Sequence, residues 1–174
     1  PNIGEVLVKI ESAGLNFIDT YQREGLYQIK LPYVLGMEGA GIVEKVGPNV
    51  VGFSPGDSVA YAMTAGSYAE FNVVPASTLI RLPKGLTSRQ AAAVMLQGMT
   101  AHYLAHSTFK LETGHTCLVH AGAGGVREVL AHPGLALLRG LLLHFLFLSR
   151  LLLTATAWDP SGERDSHAVV SGMG

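Results

Sequence analysis

Cysteine is nearly absent: Cys117 is the only one in 174 residues. Internal disulfides and any cysteine-rich zinc site are thereby excluded. Charge of one sign is missing too. Twelve basic and 13 acidic residues leave a net charge of −1, so no global field draws nucleic acid or an anionic membrane surface. The first residues hold no basic-then-apolar leader, so nothing argues for secretion. With the cysteine count, this makes a reducing, cytoplasmic setting the expectation. The chain opens on Pro1 rather than Met, as expected of a fragment or processed product. Its length allows one full domain and part of another.

What is present falls into two textures. Residues 1 to about 85 read as an all-β body. Glu5–Glu11 alternates, with Val6, Val8 and Ile10 on one face and Lys9 and Glu11 among those on the other. Gly41–Val46, Ser58–Met63 and Ser67–Val74 read as further strands, separated by Gly/Pro/Asn/Asp punctuation. That spacing predicts a small barrel-like or partly closed β-domain. Asn16–Glu24 is polar and turn-like, with room for a short helix.

At Thr87 the texture changes. Thr87-Ser88-Arg89-Gln90 is a capping box, and Ala91–Leu96 has high helix propensity. Gly98 is expected to interrupt this helix, which resumes over Thr100–His106. Thr116–Ala121 then reads as a short buried strand, followed by the tight turn Gly122-Ala123-Gly124-Gly125. A dinucleotide-binding fingerprint G-x-G-x-x-G would run from Gly122 to residue 127. Residue 127 is Arg, a long charged side chain where helix and strand need close packing.

From Arg127 onward the pattern does not recover. Pro133-Gly134 interrupts any helix begun after the turn. Leucine dominates Leu135–Leu153, broken by Arg139, Gly140, His144 and Arg150. A spanning helix wants about 18 nearly uninterrupted apolar residues, so these polar breaks argue against a membrane segment. Residues 159–174 are polar and expected to be disordered. No acidic residue stands in Gly140–Phe147, roughly 20 residues beyond the turn, where a ribose-binding carboxylate belongs. Arg150 reads as a charge flanking an apolar run. The plan is α/β, mainly β in its first half. Residues 1–86 form a β-domain; 87–126 supply a connecting helix, a strand and a glycine turn; 127–174 are a divergent leucine-rich tail.

Several blocks in register resemble the zinc-free quinone oxidoreductase (zeta-crystallin-like) branch of the medium-chain dehydrogenase/reductase superfamily. They are Ala13–Tyr21, the G-x-E-x-x-G-x-V block within Leu35–Val43, Gly56–Val59, Gly66–Glu70, Gln90–Ala93, Gly98–Ala101 and Gly114–Val126. The match stops at Val126. The resemblance implies a chaperonin-10-like β-domain joined to a Rossmann domain, here incomplete, with NADPH in the cleft between them. It also implies hydride transfer to a quinone or another α,β-unsaturated carbonyl, and a homodimer. Zinc-dependent relatives carry Cys and His ligands where this chain has Asn16 and Met37, so zinc is not expected.

Carried over residue by residue, the resemblance makes Asn16 a cleft amide beside the nicotinamide and the acceptor. Tyr21 and Tyr27 line the same cleft, and Thr100 lies at the nicotinamide end. Gly122, Ala123, Gly124, Gly125 and Val126 face the pyrophosphate. A neutral amide and phenols suit an uncharged planar acceptor. Some members of the branch are linked to RNA; this chain has no basic stripe, so no nucleic-acid partner is indicated.

By residue type alone blander readings stand beside these. Asn16 is also a turn former, and the tyrosines are also edge-of-core aromatics. Glu38 reads as a structural ion pair or backbone contact, with no second carboxylate near it in sequence. His102 and His106, four apart, have a metal-ligand spacing but lack the zincin glutamate, so they read as helix-face histidines. Cys117 reads as inert core. Two functions follow: an NADPH-dependent quinone oxidoreductase, or a catalytically silent product of such a gene whose β-domain binds a partner or serves structurally.

Overall fold

The alternation of Val6, Val8 and Ile10 organises the first half of the protein. A computed structural model describes residues 1–112, 115–119, 124–126, 129 and 167–170, within two units, Pro1–Leu96 and Gln97–Gly174. In the first unit β1 (Glu5–Ala13), β2 (Glu38–Val46), β3 (Ser58–Ala62), β4 (Phe71–Pro75) and β5 (Leu79–Arg81) form one sheet. Its order is β4-β1-β2-β3-β5, and every pairing is antiparallel. Val6, Val8, Val43, Val59, Tyr61, Val74 and Leu79 make its core. Each such side chain withdrawn from water contributes about 1.5–3 kcal/mol before entropy is counted. Register shifts between Leu7 and Val8 and between Ile10 and Ser12 add the local twist that bulges impose.

Two strand starts differ from expectation. β2 starts at Glu38, not Gly41, because Gly39 and Ala40 are paired on both sides, to Ala13 and Ser12 of β1 and to Tyr61 and Ala60 of β3. Two-sided pairing overrides the weak strand preference of a Gly-rich run. β4 starts at Phe71, not Ser67, because the Ser67 and Tyr68 N–H groups donate elsewhere, to the Gly36 and Leu35 carbonyls (3.3 and 3.1 Å). β5, three residues long, carries too little periodicity to be read in advance.

The helices follow local chemistry. α1 occupies Phe17–Arg23, where a short helix is expected. α2 runs over Ser88–His102, and the capping box ahead of it is formed: Gln90 N–H donates to Thr87 Oγ1 (3.3 Å) and Thr87 N–H to Gln90 Oε1 (3.0 Å). Gly98 does not interrupt α2. An interior glycine costs about 1 kcal/mol relative to alanine, which thins a helix without ending it. The chain then enters a π-helical turn over Tyr103–Thr108, in place of the α-helical resumption expected there.

The second unit holds that turn, β6 (Thr116–Val119) and β7 (His167–Val170). β6 and β7 pair in parallel, Thr116 with His167 through Val119 with Val170. Disorder over 159–174 is therefore corrected for His167–Val170: the Val-Val pair has high strand propensity, and β6 supplies a ladder for it. The leucine-rich run 135–153 lies outside the described residues. Among the described residues no helix is long and apolar enough to cross a membrane.

Candidate functional site

Asn16 ends the loop after β1 and caps α1 in an extended conformation (φ −135°, ψ 148°). The first helical turn is closed in both directions. Asp19 N–H donates to the Asn16 carbonyl (3.0 Å), and Asn16 N–H donates to Asp19 Oδ2 (3.0 Å). A carboxylate placed here also suits the positive end of the helix.

The Asn16 side chain turns inward. Its Nδ2 donates to Glu38 Oε1 at 2.8 Å. Glu38 is wholly buried at the head of β2, and its Oε2 accepts the Leu96 N–H of α2 at 2.7 Å. Room for the carboxyl group depends on Gly14: a Cβ there would collide with the Glu38 carboxyl and lie 2.5 Å from the Ala92 carbonyl. Burial raises the Glu38 pKa above its ordinary 4.5. The Leu96 and Asn16 hydrogen bonds oppose that shift, and the Asp19 charge adds to it. So a second carboxylate does act on Glu38, one that is remote in sequence.

Asp19 is buried as well. The Tyr68 hydroxyl donates to its Oδ2 at 2.7 Å and lies 3.3 Å from the Gly14 carbonyl. Burial, then the Asp19 hydrogen bond and charge, push the Tyr68 phenol well above its usual range. It is a neutral donor at physiological pH. Met37, beside Glu38, presents a thioether to Tyr33 OH (3.7 Å) and Gln22 Nε2 (4.0 Å); both are weak contacts. Among the described residues no group of three or more His, Cys, Asp or Glu could hold a metal ion.

Tyr21 lies on α1 and Tyr27 just past its end. Their rings meet edge to face, centroids 6.0 Å apart, and Phe17 approaches Tyr21 at 6.3 Å. Phe17 and Tyr27 are exposed, as are Leu15 and Leu26. Asn16 thus stands at the start of α1, Tyr21 on it and Tyr27 past its end, and the two rings meet. The backbone contact expected of Glu38 is supplied by the Leu96 N–H; sequence reading missed Asp19 and Tyr68 as its neighbours. The signal that pointed toward them was Glu38 among glycines, a residue type seldom buried without a partner.

Thr100 lies on α2, within the second unit. Gly124 is at a bend, and Gly125 and Val126 are helical; Gly122 and Ala123 lie outside the described residues. A Cβ on Gly125 would stand 3.0 Å from the Gln97 side chain, so this position requires close packing. In sequence order, β6, the glycine-rich run Gly122–Gly125 and the helical Gly125–Val126 follow the arrangement by which dinucleotide-binding proteins receive a pyrophosphate. The His102 and His106 rings approach with centroids 4.5 Å apart and planes tilted by 47°. Cys117 is within β6, its side chain outside what is described.

Residues 2–84 match the family model described as the alcohol dehydrogenase GroES-like domain. A quinone oxidoreductase of Pseudomonas aeruginosa is 52% identical over 128 residues, covering 72% of this chain and 39% of the relative. Among solved structures, a quinone oxidoreductase of Pseudomonas syringae superposes with a TM-score of 0.74 at 42% identity, covering 82% of this chain and 43% of the other. An Escherichia coli quinone oxidoreductase complexed with NADPH gives a TM-score of 0.74 at 38% identity, with 82% and 43% covered. The chain thus spans roughly two fifths of the length of the relatives it matches.

Proposed function

The chain belongs to the quinone oxidoreductase branch of the medium-chain dehydrogenase/reductase superfamily, and we propose from that membership that it serves zinc-independent reduction of a quinone or another α,β-unsaturated carbonyl. NADPH, when bound, supplies the hydride. The protein binds, orients and keeps water out. The observation carrying this reading is the Asn16 amide, held by Glu38 at the head of α1, the helix that also bears Tyr21 of the Tyr21–Tyr27 ring pair.

In this reading residues 1–86 are the β-domain, and 87–126 contribute Thr100 and the glycine turn. Asn16 offers a neutral hydrogen-bonding group to the carbonyl oxygen of the acceptor. Tyr21 and Tyr27 give flat, partly apolar walls to a planar ring. Gly122 to Val126 face the pyrophosphate with backbone N–H groups, and Thr100 borders the nicotinamide. Neither the Asn16 amide nor the tyrosine rings need a charged partner, which fits an uncharged acceptor.

The test is NADPH consumption with p-benzoquinone, followed by loss of the nicotinamide absorbance. The reading expects turnover, and a fall in kcat/KM of about 10- to 100-fold in Asn16→Ala, the scale of one lost orienting hydrogen bond. Equal rates in both proteins would remove Asn16 from the site. No turnover in either would favour the second reading, a binding or structural module, for which Arg127 at the third fingerprint glycine is the supporting observation.

A further inference from the structure

Both oxygens of the Glu38 carboxyl are engaged, each by a group of different character. Oε2 meets Leu96 N–H (2.7 Å), a main-chain donor that has no acceptor form. Oε1 meets the Asn16 amide (2.8 Å), which donates from one end and accepts at the other. The carboxyl group lies against Gly14, where a Cβ would collide with it.

We infer that Glu38 is a positioning residue for Asn16: its protonation state decides which end of the Asn16 amide is turned toward Glu38 and which end is turned away. An ionised carboxyl accepts at both oxygens, so Asn16 donates from Nδ2, as observed. A protonated one must still accept from Leu96 at Oε2. Its single proton therefore resides on Oε1 and points at Asn16, which has to offer Oδ1 instead. The amide turns over, and its NH2 group exchanges places with its carbonyl. A proton on Glu38 is thus converted into a change of hydrogen-bonding polarity at the amide proposed to meet the acceptor.

The surroundings place this exchange above the ordinary carboxylate range. Burial and the charge of Asp19 on α1 favour the protonated form. Tyr68, from the loop before β4, also interacts electrostatically with Glu38, and it is neutral at physiological pH. Leu96 and Ala92 from α2 and Ala62, the register partner on β3, bring no charge.

The role rests on the proposed function only for its catalytic meaning, and the test separates the two. The side-chain NH2 resonances of Asn16 are followed against pH in the isotope-labelled full chain, assigned by their loss in Asn16→Asp. Wild type is expected to move in one step with a midpoint above 4.5, the ordinary glutamate value. Glu38→Gln keeps an acceptor for Leu96 and turns its own NH2 toward Asn16. Its Asn16 resonances are therefore expected to be independent of pH and to match the acid limit of wild type. Flat Asn16 resonances in wild type would overturn the inference, with no variant needed. So would a Glu38→Gln protein whose Asn16 titrates as wild type does. Should Asn16 titrate as expected in a chain that reduces no p-benzoquinone, the positioning role stands and the proposed function falls.

Discussion

Oε2 of Glu38, wholly buried at the head of β2, accepts the backbone N–H of Leu96 in α2 at 2.7 Å. A side chain at the start of a strand thereby ties the sheet to the inside of a helix. Removing it leaves the Leu96 N–H and the Asn16 amide without this acceptor and opens a cavity. Glu38→Ala is expected to cost about 3–5 kcal/mol, from two interrupted buried hydrogen bonds plus lost packing. Glu38→Gln, which retains the Leu96 acceptor, should cost less than half as much. Urea unfolding monitored by circular dichroism measures both.

The same residue sets a pH dependence. Its folded-state pKa is raised, burial being the main cause, so between 4.5 and the folded value the native state binds more protons than the unfolded chain. By linkage stability then falls as pH rises through that window, opposite in sign to a salt-bridged carboxylate. Thermal melts of wild type and Glu38→Gln across this range should diverge on the alkaline side, where only wild type carries the buried charge. Parallel curves would contradict the raised pKa.

Two glycines make a contrasting pair. A Cβ at Gly14 would strike the Glu38 carboxyl and the Ala92 carbonyl, whereas one at Gly98 meets nothing within 4 Å among the described residues. Gly14→Ala is expected to destabilise by about 2 kcal/mol or more, since backbone and a buried acid must both shift. Gly98→Ala, inside α2, should instead stabilise by about 0.5–1 kcal/mol through helix propensity. Equilibrium denaturation of the two variants reads the difference in sign.

Tyr68→Phe removes the hydroxyl that donates to Asp19 Oδ2 at 2.7 Å while keeping the ring. Asp19 retains the Asn16 N–H but loses its shortest donor. A loss of about 1.5–3 kcal/mol is expected, the range for a hydrogen bond to a charged group. Melting temperature measures it.

These residues also show where the sequence is legible. The Val6–Val8–Ile10 alternation marks β1, and Thr87 with Gln90 marks the start of α2, because both signals are contained within a few neighbouring residues. The family resemblance points to Asn16, Tyr21 and Tyr27, which lie on α1 and its flanks. The Asn16–Glu38–Leu96 chain is invisible to any local pattern: its links span 22 and 58 residues and exist only once β2 and α2 pack. The early start of β2 has the same origin, since a Gly-Ala-Gly run has no strand signature until two neighbours pair with it. β7 is legible only through its partner β6, far earlier in the chain.

NADPH fluorescence titration of the 174-residue protein tests the proposed function most directly. The account predicts saturable, stoichiometric binding, weakened at least tenfold (about 1.4 kcal/mol) by Gly125→Val, which places bulk against Gln97 at the helix start. Fluorescence that rises linearly without saturation, in wild type as in the variant, would contradict it.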